Sequence, residues 1–338
     1  MLLVGVEYKV IFFSESLGEI AMGYASGHYD KVTAIGIAVA RAAAMKKAEG
    51  NGGMVALGIC FQRARYMIKQ VLEGAGVADG LWIAAINSPD AVTVAGRDEL
   101  IDMLAGIVKG RGFFAAKLIV TCAFHTPLME PLEEEFKSPM KAVSGNFGMK
   151  PPAVRTMSTV DGQWLQRDLD VDYCWDNIRR PVLFGTAIDK IVKENGSANV
   201  LFLEIAPHPV LQSYIQQCKG QPISLIRRPN PKVPAQNTGE HYQFLEGIGT
   251  LLTSGFKAVD LARLCATPDG QQNFFRCKMP DYPYNKTTCS SESALNRSVR
   301  LRQKPGPMSS SLFRMSLGTH PDLAGHLIFE VPLFPLSG

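Results

Sequence analysis

The stretch Val10–Glu19, VIFFSESLGE, joins a short apolar run to a polar turn and then to a helical pattern. Val10–Phe13 predicts a buried strand, and Ser16–Tyr24 predicts the helix that follows it. A serine on a sharp turn between a strand and a helix is the arrangement of a nucleophile elbow, where the helix dipole and a backbone N–H can stabilise an oxyanion. Ser16 is therefore a candidate nucleophile and the N–H of Leu17 a candidate oxyanion donor. A serine that only caps the helix is the alternative.

Outward from this stretch, apolar strand candidates alternate with helical patterns, which predicts an α/β layered fold. The order strand, helix, strand, strand, helix, strand over 54–121 predicts a ferredoxin-like subdomain. We expect it to be inserted into a hydrolase-like large subdomain with a parallel sheet, made of 1–53 and 122–226. Pro- and polar-rich stretches in 227–311 predict a linker that wraps a surface, and 312–338 becomes apolar again.

Composition excludes several classes of protein. The 338 residues include 35 Lys and Arg against 31 Asp and Glu, and 46% are hydrophobic. These are globular values, and the balanced charge disfavours a nucleic-acid binder. No apolar run reaches the roughly 18 residues of a membrane span, and Met1–Phe13 lacks the basic region of a secretory signal. No pair of the seven cysteines has C-x-x-C spacing, so we expect a cytoplasmic protein with reduced thiols and no bound metal.

Arg41 is the second candidate functional residue. It lies in a helix predicted over Lys31–Ala48, whose centre is apolar on nearly every face, and such a helix is expected to be buried. A buried guanidinium needs an anion, and no acidic residue lies three or four positions away. Its partner is then a distant group across the core or the carboxylate of a ligand. A side chain that snorkels to solvent is the alternative.

His125 is the third candidate. It follows a predicted strand over Lys117–Thr121 and stands just before a helix that begins with Pro127. This is a suitable place for a general base. A core histidine with satisfied hydrogen bonds is the alternative.

Together these residues resemble the acyltransferase domain of a polyketide synthase. The family's G-H-S-x-G-E motif is present as Ser14–Glu19, and Arg41 and His125 follow Ser16 at the family's spacing. Further segments are similar to family motifs in the same order: 86–96, 173–182, 202–211 and 279–284. The end of the chain resembles the opening of a dehydratase hot-dog fold, with His326 at the position of its catalytic histidine. The chain thus resembles an internal, N-terminally truncated piece of a multidomain, fungal-type synthase.

The resemblance implies a ping-pong transferase. Ser16 would attack malonyl-CoA while His125 takes its proton, and the malonyl ester would pass to the phosphopantetheine thiol of an acyl carrier protein. The implied substrate-binding residues are Arg41 for the free carboxylate, Leu17, Asn87, and Phe124, which would crowd a methyl branch. The implied partners are the carrier protein and the neighbouring ketosynthase and dehydratase domains, with no cofactor bound directly. His326 would be vestigial, because the rest of a dehydratase site is missing.

The chain departs from the family pattern around the elbow. Ser14 replaces a glycine and must fit where strand and helix pass closely, and Glu15 replaces a histidine. An ionised Glu15 would repel malonyl-CoA and could raise the pKa of His125. Only 15 residues precede Ser16, where the family has a longer segment with a glycine-glutamine loop, so we expect residues 1–15 to be foreign to the family. The alternative functions are a catalytically inactive structural or docking fragment and a generic α/β serine hydrolase, which has no use for Arg41.

Overall fold

The computed structural model of the chain describes residues 2–6, 9–144, 154–228, 239–256, 259–260, 264, 327–328 and 331–332. The strands are β1 (Leu2–Val6), β2 (Lys9–Phe13), β3 (Gly53–Leu57), β4 (Leu81–Ser88), β5 (Ala91–Gly96), β6 (Ala115–Lys117), β7 (Arg155–Ser158), β8 (Gln163–Trp164), β9 (Val200–Glu204), β10 (Gln221–Ser224), β11 (Leu327–Ile328) and β12 (Val331–Pro332). The α-helices are α1 (Gly18–Ala25), α2 (Lys31–Lys47), α3 (Phe61–Ala75), α4 (Asp98–Gly110), α5 (Glu133–Ser144), α6 (Val171–Arg179), α7 (Phe184–Asn195), α8 (Gln212–Gln217) and α9 (Glu240–Thr253). Short 3₁₀ helices cover Pro127–Leu132 and Ser197–Asn199.

The chain forms two compact units, Met1–Gly270 and Gln271–Gly338. Within the second unit the structure describes only the antiparallel pair β11 and β12. The predicted dehydratase start over 312–338 therefore lies outside the described residues except for this pair, and so does His326. Most of the predicted linker over 227–311 lies outside them as well, and its described part includes α9.

The larger sheet has six strands in the order β10-β9-β1-β2-β7-β8. Strand β2 is parallel to β7 and β9 is parallel to β10, but β1 is antiparallel to both β2 and β9. Strand β8 is antiparallel to β7, so the prediction of a parallel sheet is wrong for both β1 and β8, and the α/β sheet is mixed. The reason is the short connection: two residues separate β1 from β2, and parallel neighbours need a crossover of a dozen or more.

The smaller sheet has the order β4-β5-β3-β6 and is antiparallel throughout. Helices α3 and α4 cover it, and their apolar faces form one core with the sheet. This sheet joins the rest of its compact unit through Val182, whose N–H donates to Ala84 O (2.9 Å) and whose carbonyl accepts from Ile86 N (2.8 Å). The domain boundaries at 53/54 and 121/122 remain predictions.

The end of β2 packs in an apolar core. Ile11 and Phe13 are buried, and the Phe13 ring stacks on Phe184 of α7 with ring centroids 5.0 Å apart. Met157 of β7 belongs to the same cluster. The strand that precedes Ser16 therefore ends at a fixed position.

Helix α2 is buried on one face only, which corrects the expectation of burial on nearly every face. Asp30 is its N-cap, and the Asp30 side chain accepts from Thr33 N at 2.7 Å. The buried residues Thr33, Ile37, Arg41 and Ala44 recur at helical spacing, while Val32 is 76% exposed. The helix packs beside α1 and α5, so the apolar residues of its other face stay in contact with solvent.

The strand predicted over Lys117–Thr121 is also misplaced. The observed strand β6 is Ala115–Lys117, and Ile119 is fully exposed. Strand β6 pairs with β3 from Leu57 back to Val55, and β3 begins at Gly53. Beyond Lys117, which pairs with Val55, only two residues of β3 remain, so a strand that continued to Thr121 would have no partner in β3.

Candidate active site

Ser16 lies on a sharp left-handed turn between β2 and α1. Its φ is 46°, in a region that non-glycine residues rarely adopt, at a cost of about 1–3 kcal/mol. Gly18 N donates to Glu15 O at 2.9 Å and Glu19 N donates to Ser16 O at 3.1 Å, and these bonds stabilise the turn. Ser14, in place of the family's glycine, is buried at 2% exposure. The predicted elbow geometry is therefore present despite the substitution.

His125 faces the serine hydroxyl. Ser16 Oγ lies 2.8 Å from His125 Nε2, and His125 Nδ1 lies 3.0 Å from the carbonyl oxygen of Arg180. A carbonyl only accepts, so Nδ1 carries the hydrogen and Nε2 accepts from the hydroxyl. His125 itself has a φ of 62°, and its N–H donates to Ile178 O at 3.1 Å. A backbone carbonyl thus orients the imidazole, in the position that a carboxylate occupies in a Ser-His-Asp triad.

The surroundings keep this imidazole neutral. Burial and then the nearby charge of Arg41 lower the pKa of His125 to about 3, and the Arg180 carbonyl only partly opposes this. At neutral pH, His125 can therefore accept a proton. The expectation that Glu15 raises the pKa of His125 is wrong, because burial and a cation dominate.

Arg41 contacts the same hydroxyl from α2. Its Nη2 donates to Ser16 Oγ at 3.2 Å, and its Nη1 donates to Asn177 Oδ1. The side chain is 3% exposed, and burial lowers the pKa of Arg41 to about 10, so it stays cationic at neutral pH. Among the residues that the structure describes, no carboxylate lies within ion-pair distance of it, and Nε has no partner. Arg41 therefore offers a buried positive charge beside the nucleophile.

Glu15, next to Ser16 in the elbow, interacts electrostatically with Glu204. Burial and then the charge of Glu204 raise the pKa of Glu15 to about 7. Glu204, at the end of β9, accepts through Oε1 from Val210 N (3.0 Å) and Leu211 N (3.2 Å). Its Oε2 is buried without a partner in the described chain. Glu15 is therefore close to half ionised at neutral pH.

The remaining predicted residues surround this centre. Leu17 is the N-cap of α1, where a backbone N–H has no intrahelical acceptor, and its side chain is exposed. Phe124 is half-buried and packs against two apolar clusters. Asn87 is buried and donates through Nδ2 to Thr93 Oγ1 at 3.2 Å. No hydrogen bond between described residues joins Asn87 to Ser16, and the substrate-binding roles of Phe124 and Asn87 stay predictions.

Sequence reasoning missed three groups at the site. Asn177 and Glu19 both lie in the motif segments, yet neither received a role, and the third group is the Arg180 carbonyl. A buried arginine that needs an acceptor was the available signal for Asn177. Its position 136 residues along the chain from Arg41 gave no indication of contact. Backbone carbonyls leave no signal in a sequence.

No group of three or more metal-ligating side chains occurs among the described residues. The four described cysteines, Cys60, Cys122, Cys174 and Cys218, are free. None of the described helices combines the length and apolarity needed to cross a bilayer.

Comparison with known proteins identifies an acyl transferase family and polyketide synthases as relatives. Residues 5–244 match the family described as the acyl transferase domain. A highly reducing polyketide synthase of Strobilurus tenacellus is 33% identical over 332 residues, which is 97% of this chain and 12% of that protein. A second highly reducing polyketide synthase, from Aspergillus calidoustus, is 29% identical over 300 residues, 85% of this chain and again 12% of its relative. The chain therefore spans about an eighth of the length of these curated relatives.

The fold agrees with a solved structure. A loading acyltransferase from the avermectin modular polyketide synthase is 26% identical, with a TM-score of 0.59, over 70% of each chain.

Proposed function

The chain belongs to the acyl transferase domain family, as its motifs predicted, and from this premise we propose that it transfers a malonyl group from malonyl-CoA to an acyl carrier protein. The observation that carries the proposal is the convergence of His125 Nε2 and Arg41 Nη2 on Ser16 Oγ, at 2.8 Å and 3.2 Å. The first side chain can take the hydroxyl proton, and the second supplies a fixed positive charge for a free carboxylate.

In the first half-reaction, Ser16 Oγ attacks the thioester carbonyl while its proton moves to His125 Nε2. The N–H of Leu17, at the positive end of α1, is the donor that we assign to the developing oxyanion. Collapse of the tetrahedral intermediate breaks the carbon–sulfur bond, and His125 returns the proton to the departing CoA sulfur. The product is a malonyl ester on Ser16.

The second half-reaction reverses these transfers with a different thiol. The phosphopantetheine thiol of the carrier protein gives its proton to His125 and attacks the ester carbonyl. The Ser16 alkoxide leaves and takes the proton back. In both steps the hydrogen bond from Arg41 Nη1 to Asn177 Oδ1 keeps the guanidinium oriented toward the malonyl carboxylate.

Selectivity follows from the same geometry. A buried guanidinium without a carboxylate partner favours acyl groups that end in an anion over neutral ones. We assign Phe124 the role of crowding an α-methyl branch, an effect worth about 1–3 kcal/mol. We assign a substrate-binding role to Asn87 as well, which lies on β4 in the unit that we interpret as the ferredoxin-like subdomain. We propose that neighbouring ketosynthase and dehydratase domains are further partners and that the protein acts in the cytoplasm. The proposed reaction needs no cofactor bound to the chain itself.

An inactive fragment is the second candidate, and the acidic pair Glu15 and Glu204 favours it, because a negative charge beside the nucleophile repels malonyl-CoA. A generic serine hydrolase is less well supported, because a neutral ester has no group for Arg41 to bind.

Intact-mass measurement of the chain after brief mixing with malonyl-CoA tests the proposal. We expect one malonyl adduct on the wild type and none on Ser16→Ala. Ser26→Ala is the matched control, because Ser26 Oγ lies 2.7 Å from His28 Nδ1 in a second buried Ser–His pair away from the elbow. An adduct that persists in Ser16→Ala excludes Ser16 as the nucleophile. A folded wild type that forms no adduct favours the inactive fragment.

A further inference from the structure

Glu19 is a buried carboxylate that the proposed mechanism does not use. It lies in the first turn of α1, three residues after the nucleophile, and is 4% exposed. Oε1 accepts from Thr159 N at 2.8 Å and from Thr159 Oγ1 at 2.5 Å. Oε2 accepts from Tyr173 OH at 2.7 Å and from Asn177 Nδ2 at 3.0 Å. Four donors from two other parts of the chain therefore converge on one carboxylate.

The chemistry of the donors determines the orientation of the Asn177 amide. A guanidinium has donors only, so Asn177 turns Oδ1 toward Arg41. The Nδ2 group then points the other way and needs an acceptor, which is Glu19 Oε2. With a donor at position 19, Asn177 would have donors on both sides. Glu19 therefore fixes the orientation in which Asn177 Oδ1 accepts from Arg41.

Charge acts in the same direction. Burial raises the pKa of Glu19, while the hydrogen bonds from Thr159 and Tyr173 and the charge of Arg41 oppose the rise. Glu19 in turn helps to keep Arg41 protonated, since its charge raises the pKa of the guanidinium against the effect of burial. The Asn177 amide therefore joins the Glu19 carboxyl group to the Arg41 guanidinium by two hydrogen bonds.

We propose that Glu19 is a positioning residue that, through Asn177, holds the Arg41 guanidinium beside Ser16 Oγ in the orientation that receives the acyl carboxylate. The geometric part of this inference is independent of the reaction, and its catalytic consequence rests on the proposed function. A carboxylate that only stabilised α1 would not need the intervening amide to join it to Arg41.

Glu19→Gln is the direct test, because it keeps the size of the side chain and replaces one acceptor by a donor. That donor must face either Thr159 N–H or Asn177 Nδ2, and we expect Asn177 to turn its Nδ2 toward Arg41. Crystal structures of wild type and variant should show Arg41 Nη2 displaced from its 3.2 Å contact with Ser16 Oγ. Malonyl loading should fall about 10- to 100-fold, the range for losing a hydrogen bond to a charged group. Labelling of Ser16 by a neutral fluorophosphonate should be unchanged.

The double variant Glu19→Gln/Asn177→Asp separates positioning from general stability. The carboxylate introduced at position 177 can accept from Arg41 and from the amide introduced at position 19. The bond between positions 19 and 177 is then reversed, but each donor again faces an acceptor and the buried negative charge is kept. We expect malonyl loading to recover in the double variant, whereas a merely structural role predicts a further loss. Tyr173→Phe removes one donor from Glu19 more gently, and Tyr29→Phe is its matched control, because Tyr29 OH donates to Leu169 O instead.

Each outcome has a separate meaning. The inference is overturned if Arg41 keeps its contact in Glu19→Gln, or if malonyl loading and fluorophosphonate labelling fall together. A wild type that reacts with the fluorophosphonate and not with malonyl-CoA contradicts the proposed function, and the crystal structures then still decide the role of Glu19. If Glu19→Gln does not fold, Tyr173→Phe and the double variant decide by the same measurements.

Discussion

The first prediction is that malonyl loading depends on pH through Glu15. Burial and Glu204 raise its pKa to about 7, so the carboxyl is mostly neutral at pH 6 and mostly ionised at pH 8. Glu15 adjoins the nucleophile, which places its charge on the order of 9 Å from the carboxylate of a bound malonyl group. At an effective dielectric constant of about 20, two like charges at that distance repel by about 1.8 kcal/mol, or roughly 20-fold in a rate. We therefore expect kcat/KM for malonyl loading to fall about 7-fold between pH 6 and pH 8, because about a tenth of the carboxyl is still neutral at pH 8, and to approach the limit of about 20-fold at higher pH.

The assay is the initial rate of ester formation on Ser16, followed by intact mass after rapid quenching across that pH range. Glu15→Gln is the matched variant, and we expect its profile to be flat. Any titration of malonyl-CoA itself affects both proteins equally and cancels in the comparison. Glu204→Gln should move the transition to lower pH, because it removes a charge that raises the pKa of Glu15. A wild-type profile parallel to that of Glu15→Gln would refute the reasoning.

Three further outcomes are expected. Arg41→Ala should reduce malonyl loading about 100-fold and leave acetyl loading from acetyl-CoA largely unchanged. Competition between malonyl-CoA and acetyl-CoA for Ser16 measures this difference. An equal loss of both rates would contradict a role of Arg41 in binding the carboxylate. Fluorophosphonate labelling of Ser16 should be independent of pH from about 4 to 8, because burial lowers the pKa of His125 to about 3, and a rise with a midpoint near the ordinary histidine pKa would contradict a buried neutral imidazole. Because the pKa of Glu15 is raised from 4.5 to about 7 on folding, the free energy of unfolding in urea should decrease as pH rises through this range, and it should decrease less in Glu15→Gln.

Local patterns predicted the elbow and the order of the elements in the smaller sheet, although the strand predicted over Lys117–Thr121 was misplaced. The unit β3 to β6 consists of neighbouring elements joined by short connections, so its alternation of strands and helices is readable along the chain. The elbow depends on a few consecutive residues, and Ser16 lies where the pattern predicted. In the larger sheet, by contrast, β1 pairs with β9, which is far away along the chain, and no local pattern specifies the direction of such a pairing.

The sequence predicted the main residues of the candidate site from their types, and the structure added the groups that contact and orient them. The sequence indicated a nucleophile in Ser16, a base in His125 and an anion-binding group in Arg41, and the structure brings all three to one hydroxyl. The sequence could not indicate which acceptor holds Arg41, because Asn177 contacts Arg41 from a separate helix. It also could not indicate that Glu19 orients that amide, or that a carbonyl orients His125.

The sequence by itself determined the family, the elbow and the three candidate residues of the site, because these depend on residue types at short or characteristic spacing. Only the tertiary structure decided their protonation and orientation. Burial makes His125 a neutral acceptor and Glu15 a carboxyl that titrates near pH 7, and the same burial leaves Arg41 as a cation whose partners come from other helices. The free energy of a charge depends on how much water surrounds it and on which dipoles replace that water, and both are properties of the folded chain.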